Sequence, residues 1–205
     1  MSFPKTVRAR SFEIDYLEKA LELNEDMIGH FWDKEGGGFY FTADDAEDIV
    51  VRRKEEQDDA YPSGNSIAIL NLLRLARMTG RTDLEEKASL TMRSLSKNVL
   101  ESPMAYTQLL SALAFAIGPS YEVVLVGDCR SQDTQTMLNA LNSRFLPNKV
   151  VLLRSIDVDS NRITRFSEFI GGLQTKEPKA TAFVCHNHVC ELPTTDPDEM
   201  LRKLA

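Results

Sequence analysis

At Gly118-Pro119 the hydrophobic period of this 205-residue chain changes from helical to strand-like, and no single-class fold accommodates both halves. Before that point Ile14, Leu17, Leu21, Ile28 and Phe31 recur at three- and four-residue steps, opposite Glu13, Glu18, Lys19, Glu22 and Glu25. This pattern predicts an amphipathic helix ending near Trp32. Gly36-Gly37-Gly38 breaks the chain, Phe39 to Thr42 reads as a short extended piece, and Ala43 to Asp59 is polar apart from Ile49-Val50-Val51. A second helix opens at Ser63-Gly64-Asn65-Ser66 and is apolar through Met78 except for Asn71, Arg74 and Arg77, so it should be buried on most sides. Gly80 ends it. Thr82-Asp83-Leu84-Glu85 has the pattern of a capping box for a third helix with the face Leu84, Ala88, Met92 and Leu95. Ser102-Pro103 reads as N-cap and first residue of a fourth helix, with Tyr106, Leu109, Leu110, Leu113, Phe115 and Ile117 packed.

Beyond Pro119, Val123 to Val126 and Val150 to Leu153 are short buried runs. They flank a helix capped by Ser131 with the face Met137, Leu138, Leu141 and Phe145. Strand, helix, strand implies a parallel pair with a right-handed crossover. A short helix near Ile163 to Ile170, a third strand at Thr181 to Cys185 and a terminal helix from Asp196 through Leu204 complete the reading. The expected fold class is mixed: α-helical hairpins over 1–118, then a small α/β segment with a short parallel sheet over 119–205.

Composition narrows the function. The formal charge of −7, from 31 acidic and 24 basic residues, argues against nucleic acid, whose phosphates need a basic face. No apolar run reaches the roughly 18–20 residues that cross a bilayer, so no membrane partner is expected. The opening MSFPKTVRAR has no apolar core of a secretory signal, and three cysteines are too few and odd in number for a disulfide framework. A reduced, cytoplasmic protein is the expectation.

Four stretches are candidates for chemistry. Trp32, Asp33, Phe39 and Tyr40 beside the triple glycine combine aromatic faces with a carboxylate, the elements of a sugar-stacking platform, although loop aromatics more often cover helix ends. Glu55 and Asp58 precede the second helix, with Ser63 and Asn65 at its start. Paired carboxylates are the equipment of glycoside hydrolysis, and a tight turn with an N-cap is the simpler alternative. If the stretch from Cys185 to Cys190 is extended, His186, His188 and Cys190 share one face and Cys185 lies on the other, a weak zinc signal because the spacing fits neither the common zinc nor the thioredoxin pattern. Val126-Gly127-Asp128 sits at the carboxyl end of a strand, where open α/β sheets bind ligands, yet no glycine-rich phosphate motif follows, and a strand-to-helix turn accounts for it. No cofactor is implied.

Taken in order, Gly37-Gly38-Phe39-Tyr40-Phe41-Thr42, Pro62-Ser63-Gly64-Asn65-Ser66, Asn71-Leu72-Leu73-Arg74-Leu75-Ala76, Arg144-Phe145-Leu146-Pro147-Asn148-Lys149 and the stretch from Cys185 to Pro193 resemble one family. They look like the C-terminal part of the thioredoxin-domain-containing proteins related to spermatogenesis-associated protein 20 and bacterial YyaL. The resemblance implies a longer protein: a thioredoxin-like domain, an (α/α)6 toroid of the six-hairpin glycosidase or sugar-epimerase type, and a small α/β segment. The four helices here would be the last two hairpins of that toroid. One departure stands out: Asp58-Asp59-Ala60 replaces the expected Asp-Gly-Ala, which would strain a position needing φ > 0.

Three functional readings follow from that resemblance and these residues. A carbohydrate-active remnant would use Asp33, Tyr40, Glu55, Asp58 and Asn65 around a polar cavity, with Asp58 or Glu55 as acid/base and a sugar ligand. A metal or redox module would use Cys185, His188 and Cys190. The favoured reading is a non-catalytic, incomplete portion whose open helical flanks meet the missing toroid and thioredoxin-like part or a second copy, because half a ring cannot enclose a substrate.

Overall fold

The computed structural model describes residues 14–46, 51–156, 162–163, 165–186 and 189–204. Helices α1 (Ile14–Phe31), α2 (Gly64–Thr79), α3 (Thr82–Glu101) and α4 (Thr107–Ile117) come first, with a 3-10 turn, Pro103–Ala105, before α4. Strand β1 (Tyr121–Gly127), helix α5 (Gln132–Asn142) and strand β2 (Lys149–Ser155) follow. After them come α6 (Glu168–Gly172), β3 (Thr181–His186), β4 (Val189–Cys190) and α7 (Pro197–Arg202). The mixed class and the partial helical-hairpin architecture expected from the sequence hold.

Helix α2 is the hub of the helical half and packs on both α3 and α4. Ile69 and Leu72 are fully buried in it, and a fully buried side chain of that size contributes about 1.5–3 kcal/mol. The Ser63 hydroxyl caps it by accepting from Ser66 N–H, and Gly80 ends it at φ 73° with its N–H on the Ala76 carbonyl. The junction to α3 differs from the expected capping box. Gly80 closes α2 so tightly that α3 already begins at Thr82, leaving Arg81 at the cap position without a side-chain cap. Arg81 instead ion-pairs with Asp83 and with Glu25 of α1. The Ser102 side chain likewise makes no N-cap, because Pro103 starts a 3-10 turn rather than α4.

The sheet order is β2-β1-β3-β4. β1 and β2 pair in parallel, Tyr121 against Lys149 through Gly127 against Ser155, as a βαβ unit requires. β3 then adds on the other side of β1 in antiparallel register, Val123 opposite Val184, so the sheet is mixed rather than purely parallel. Alternate residues serve opposite faces. Val123, Leu125, Ala182 and Val184 pack with Met137, Leu138 and Leu141 of α5 and Met200 and Leu201 of α7. Val150 joins the helical core, while Val124 and Val126 pack on Ile163 and Ile170. Burial on both faces explains why β1 reads as an unbroken apolar run. Phe145, expected on the packed face of α5, lies beyond its end and is 92% exposed. At the end of β1, a Cβ on Gly127 would meet Thr134 Oγ1 at 2.5 Å. The Asp128 carbonyl and carboxylate meanwhile accept from Ser131 and Arg130 N–H. Val126-Gly127-Asp128 is thus a close-packed strand-to-helix turn. Among the described residues, no helix is long and apolar enough to cross a membrane.

Candidate functional site

The structure brings the two loop candidates together. The chain leaving α1 turns through Gly37 (φ 71°) and Gly38 (φ 81°) and returns beside itself, with Trp32 bridged to Phe39. A Cβ on Gly38 would stand 3.1 Å from Asn65 Oδ1, and one on Gly37 would stand 3.2 Å from the Leu90 carbonyl, so both positions need glycine for conformation and for space. The second loop runs alongside: Phe41 N–H donates to the Arg53 carbonyl at 2.9 Å, and Arg52 donates to the Thr42 and His30 carbonyls.

Asn65, buried at 2% exposure, locks the loops to α2. Its Oδ1 accepts from Phe39 N–H at 2.8 Å, and its Nδ2 donates to the Phe39 and Glu55 carbonyls, each at 2.9 Å. Asp58 does the same for α4: one carboxylate oxygen accepts from Ser63 N–H and the other from Gln108 N–H, both at 2.8 Å. It supplies the cap at the start of α4 that Ser102 does not. Asp33 Oδ2 sits 2.7 Å from Lys54 Nζ, and this hydrogen-bonded ammonium holds the Asp33 carboxyl well below the usual carboxylate range. Ser63 is buried and spends its hydroxyl on the α2 cap.

The aromatics are also engaged. Phe39 is buried at 5% exposure and meets the Trp32 ring edge-on at 5.1 Å. Arg52 lies 4.3 Å over the Tyr40 ring and Lys87 5.3 Å from that of Trp32. Glu55 differs from the rest: its side chain is exposed and makes no hydrogen bond or ion pair among the described residues. It borders an open polar groove of about 680 Å³ with Arg53, Lys54, Glu56, Asp58 and Asp59. Asp59 is not among the residues with positive φ, so the loop accepts it where glycine was expected.

The cysteine-histidine stretch is divided between two antiparallel strands, β3 and β4, rather than one extended strand. Cys185 and Cys190 face each other across β3 and β4 and are joined by a disulfide, so neither offers a thiolate. The expectation of reduced thiols therefore fails for two of the three cysteines. His186 is exposed and its ring lies 5.7 Å from that of Tyr121, while His188 lies outside the described residues. One cluster escaped the sequence reading: His30, Asp44 and Asp45 place three exposed ligand atoms within 4.8 Å of one another. His30 Nδ1 is 2.9 Å from Asp44, and that hydrogen bond raises the imidazole pKa above its ordinary value. Nothing in the sequence marks it, because the loop must first carry Asp44 back over the end of α1.

No protein-family model matches the chain. It is 36% identical over 195 residues to human spermatogenesis-associated protein 20, covering 95% of this chain and 25% of that protein. The mouse protein of the same name is 35% identical over 95% of the chain and 24% of its own length. An uncharacterized protein of Caenorhabditis elegans is 32% identical over 91% of the chain and 25% of its length. The chain thus spans about a quarter of the curated relatives it matches. These matches place it in the family of spermatogenesis-associated protein 20, as a counterpart of part of that longer protein.

Proposed function

We propose that this chain is a non-catalytic C-terminal portion of a larger protein of its family and works with a companion part that precedes it in the longer relatives. One observation carries this reading: apart from Glu55, the polar side chains that resemble catalytic equipment are consumed by the fold. Both Asp58 oxygens hold backbone amides, Asn65 has three backbone partners, Asp33 is held by Lys54, and Ser63 caps α2. General acid/base catalysis needs groups free to reach substrate protons. Exposed apolar side chains, including Leu100 at 83%, Met104 at 85% and Ile117 at 77%, support a further protein surface against the helical half.

The alternative is a carbohydrate-active site in the polar groove, with Glu55 and Asp58 as the carboxylates, favoured by the freedom of Glu55. Thermal denaturation across a panel of mono- and disaccharides separates the two. The scaffold reading expects no saturable shift with any sugar and the same melting temperature for Glu55→Gln. A saturable shift that Glu55→Gln abolishes would overturn it in favour of the alternative.

A further inference from the structure

On the far side of α2 from these loops, α1, α2 and the edge strand β2 line an open cavity of about 570 Å³. Its lining is mostly apolar: Leu17, Leu23, Met27, Leu75, Met78 and Leu152 all contribute. Polar side chains break that lining, Asn24, Asn71 and Arg74 among them; Asn71 is exposed, whereas Asn24 is buried and Arg74 half-buried. The buried face of α1 runs Leu17, Leu21, Asn24, so an amide stands where the helical period places a core side chain. Asn24 is only 5% exposed, and neither its Nδ2 nor its Oδ1 has a hydrogen-bond partner among the described residues. Arg74 enters the same cavity from α2; its Nε is buried and unbonded, and its guanidinium makes no ion pair or hydrogen bond among the described residues.

A buried amide without partners and a partly buried guanidinium without an anion each cost free energy that a fold normally offsets. Both open into one cavity whose size lies within the range of small-molecule sites, which are mainly apolar with a few convergent polar groups. The guanidinium fork matches a carboxylate, the amide offers a donor and an acceptor in the same lining, and the walls match a hydrocarbon chain. Other cations near this face are already engaged: Arg162 ion-pairs with Asp15 and Glu18, and Lys19 with Glu22. Arg74 is therefore the cation left for a bound anion in this lining.

We infer that the α1–α2–β2 cavity binds an amphiphilic monocarboxylate, with the acyl chain along the apolar walls and the carboxylate on Arg74 and Asn24. Isothermal titration of the intact chain with decanoate and with decanol tests this, with the state of association followed by light scattering. Decanoate should bind saturably with 1:1 stoichiometry and at least about tenfold more tightly than decanol, the size of effect expected for one charge-assisted contact. Arg74→Met should remove that preference while leaving decanol binding and the melting temperature no lower, since it deletes an unpaired charge. Arg74→Lys should retain part of the preference, and Asn24→Leu should weaken decanoate. Equal binding of acid and alcohol, no saturable binding, or an Arg74→Met affinity equal to that of the native chain overturns the inference. So does a dimer that persists with decanoate and is lost in Leu23→Glu, because a second copy then occupies the cavity.

Discussion

Asn65 joins three segments through one amide, and its loss exposes how the loops are held. Replacing it by alanine leaves the buried Phe39 N–H and carbonyl and the part-buried Glu55 carbonyl without this partner. Each orphaned group costs about 1 kcal/mol or more, so Asn65→Ala should destabilise by about 3 kcal/mol in urea unfolding. Glu55→Ala, at an exposed side chain without partners, should stay within about 0.5 kcal/mol of the native chain. Equal effects of the two would contradict the structural role given to Asn65. At this scale the sequence revealed chemistry better than employment. Ser63 could be read as a cap because its partner is three residues away. Asn65 and Asp58 could not, because Phe39 lies 26 residues off and Gln108 50 residues off, and both offer only backbone groups. A carboxylate holding amides and a carboxylate awaiting substrate look alike in a sequence.

Helices and strands with local causes were legible. The apolar face of α3, the Ser131 and Asp196 caps and the parallel pairing of β1 with β2 all follow from period and spacing. The antiparallel entry of β3 was not, since a buried strand carries the same run whichever way it points. The Cys185–Cys190 bond was not either, because it depends on β4 pairing antiparallel with β3 so that the two cysteines stand opposite each other. The end of α1 supplies a prediction of its own. His30 has its pKa raised above 6.5 by the hydrogen bond to Asp44, and Asp44 has its own lowered below 3.8 by the same contact. The stabilisation belonging to His30 is complete below its unfolded pKa and fades as pH rises through the folded one. That belonging to Asp44 is present above its unfolded pKa and fades as pH falls through the folded one. The melting-temperature difference between the native chain and His30→Asn should therefore be largest near about pH 5 and shrink toward alkaline pH. A difference that stays constant across that range would show that the pair does not couple to folding.

The whole molecule packs two helical layers around a mixed sheet, with Val150 of β2 joining the helical core and α5 and α7 covering the opposite face. Composition was enough to expect a substantial core, and the change of period at Gly118-Pro119 located the passage from helices to sheet. What neither shows is what lies against Leu100, Met104 and Ile117, because exposure is a property of assembled surfaces rather than of local pattern. As proposed, this chain is a scaffold portion completed by another part of a family protein roughly four times its length. Sedimentation velocity of the chain mixed with the other three-quarters of a longer family member tests that claim most directly. The expected result is a single faster 1:1 species that forms at micromolar concentration and is lost when Leu100 and Ile117 are both replaced by glutamate. Two independent boundaries at all concentrations, each moving as it does alone, would contradict it.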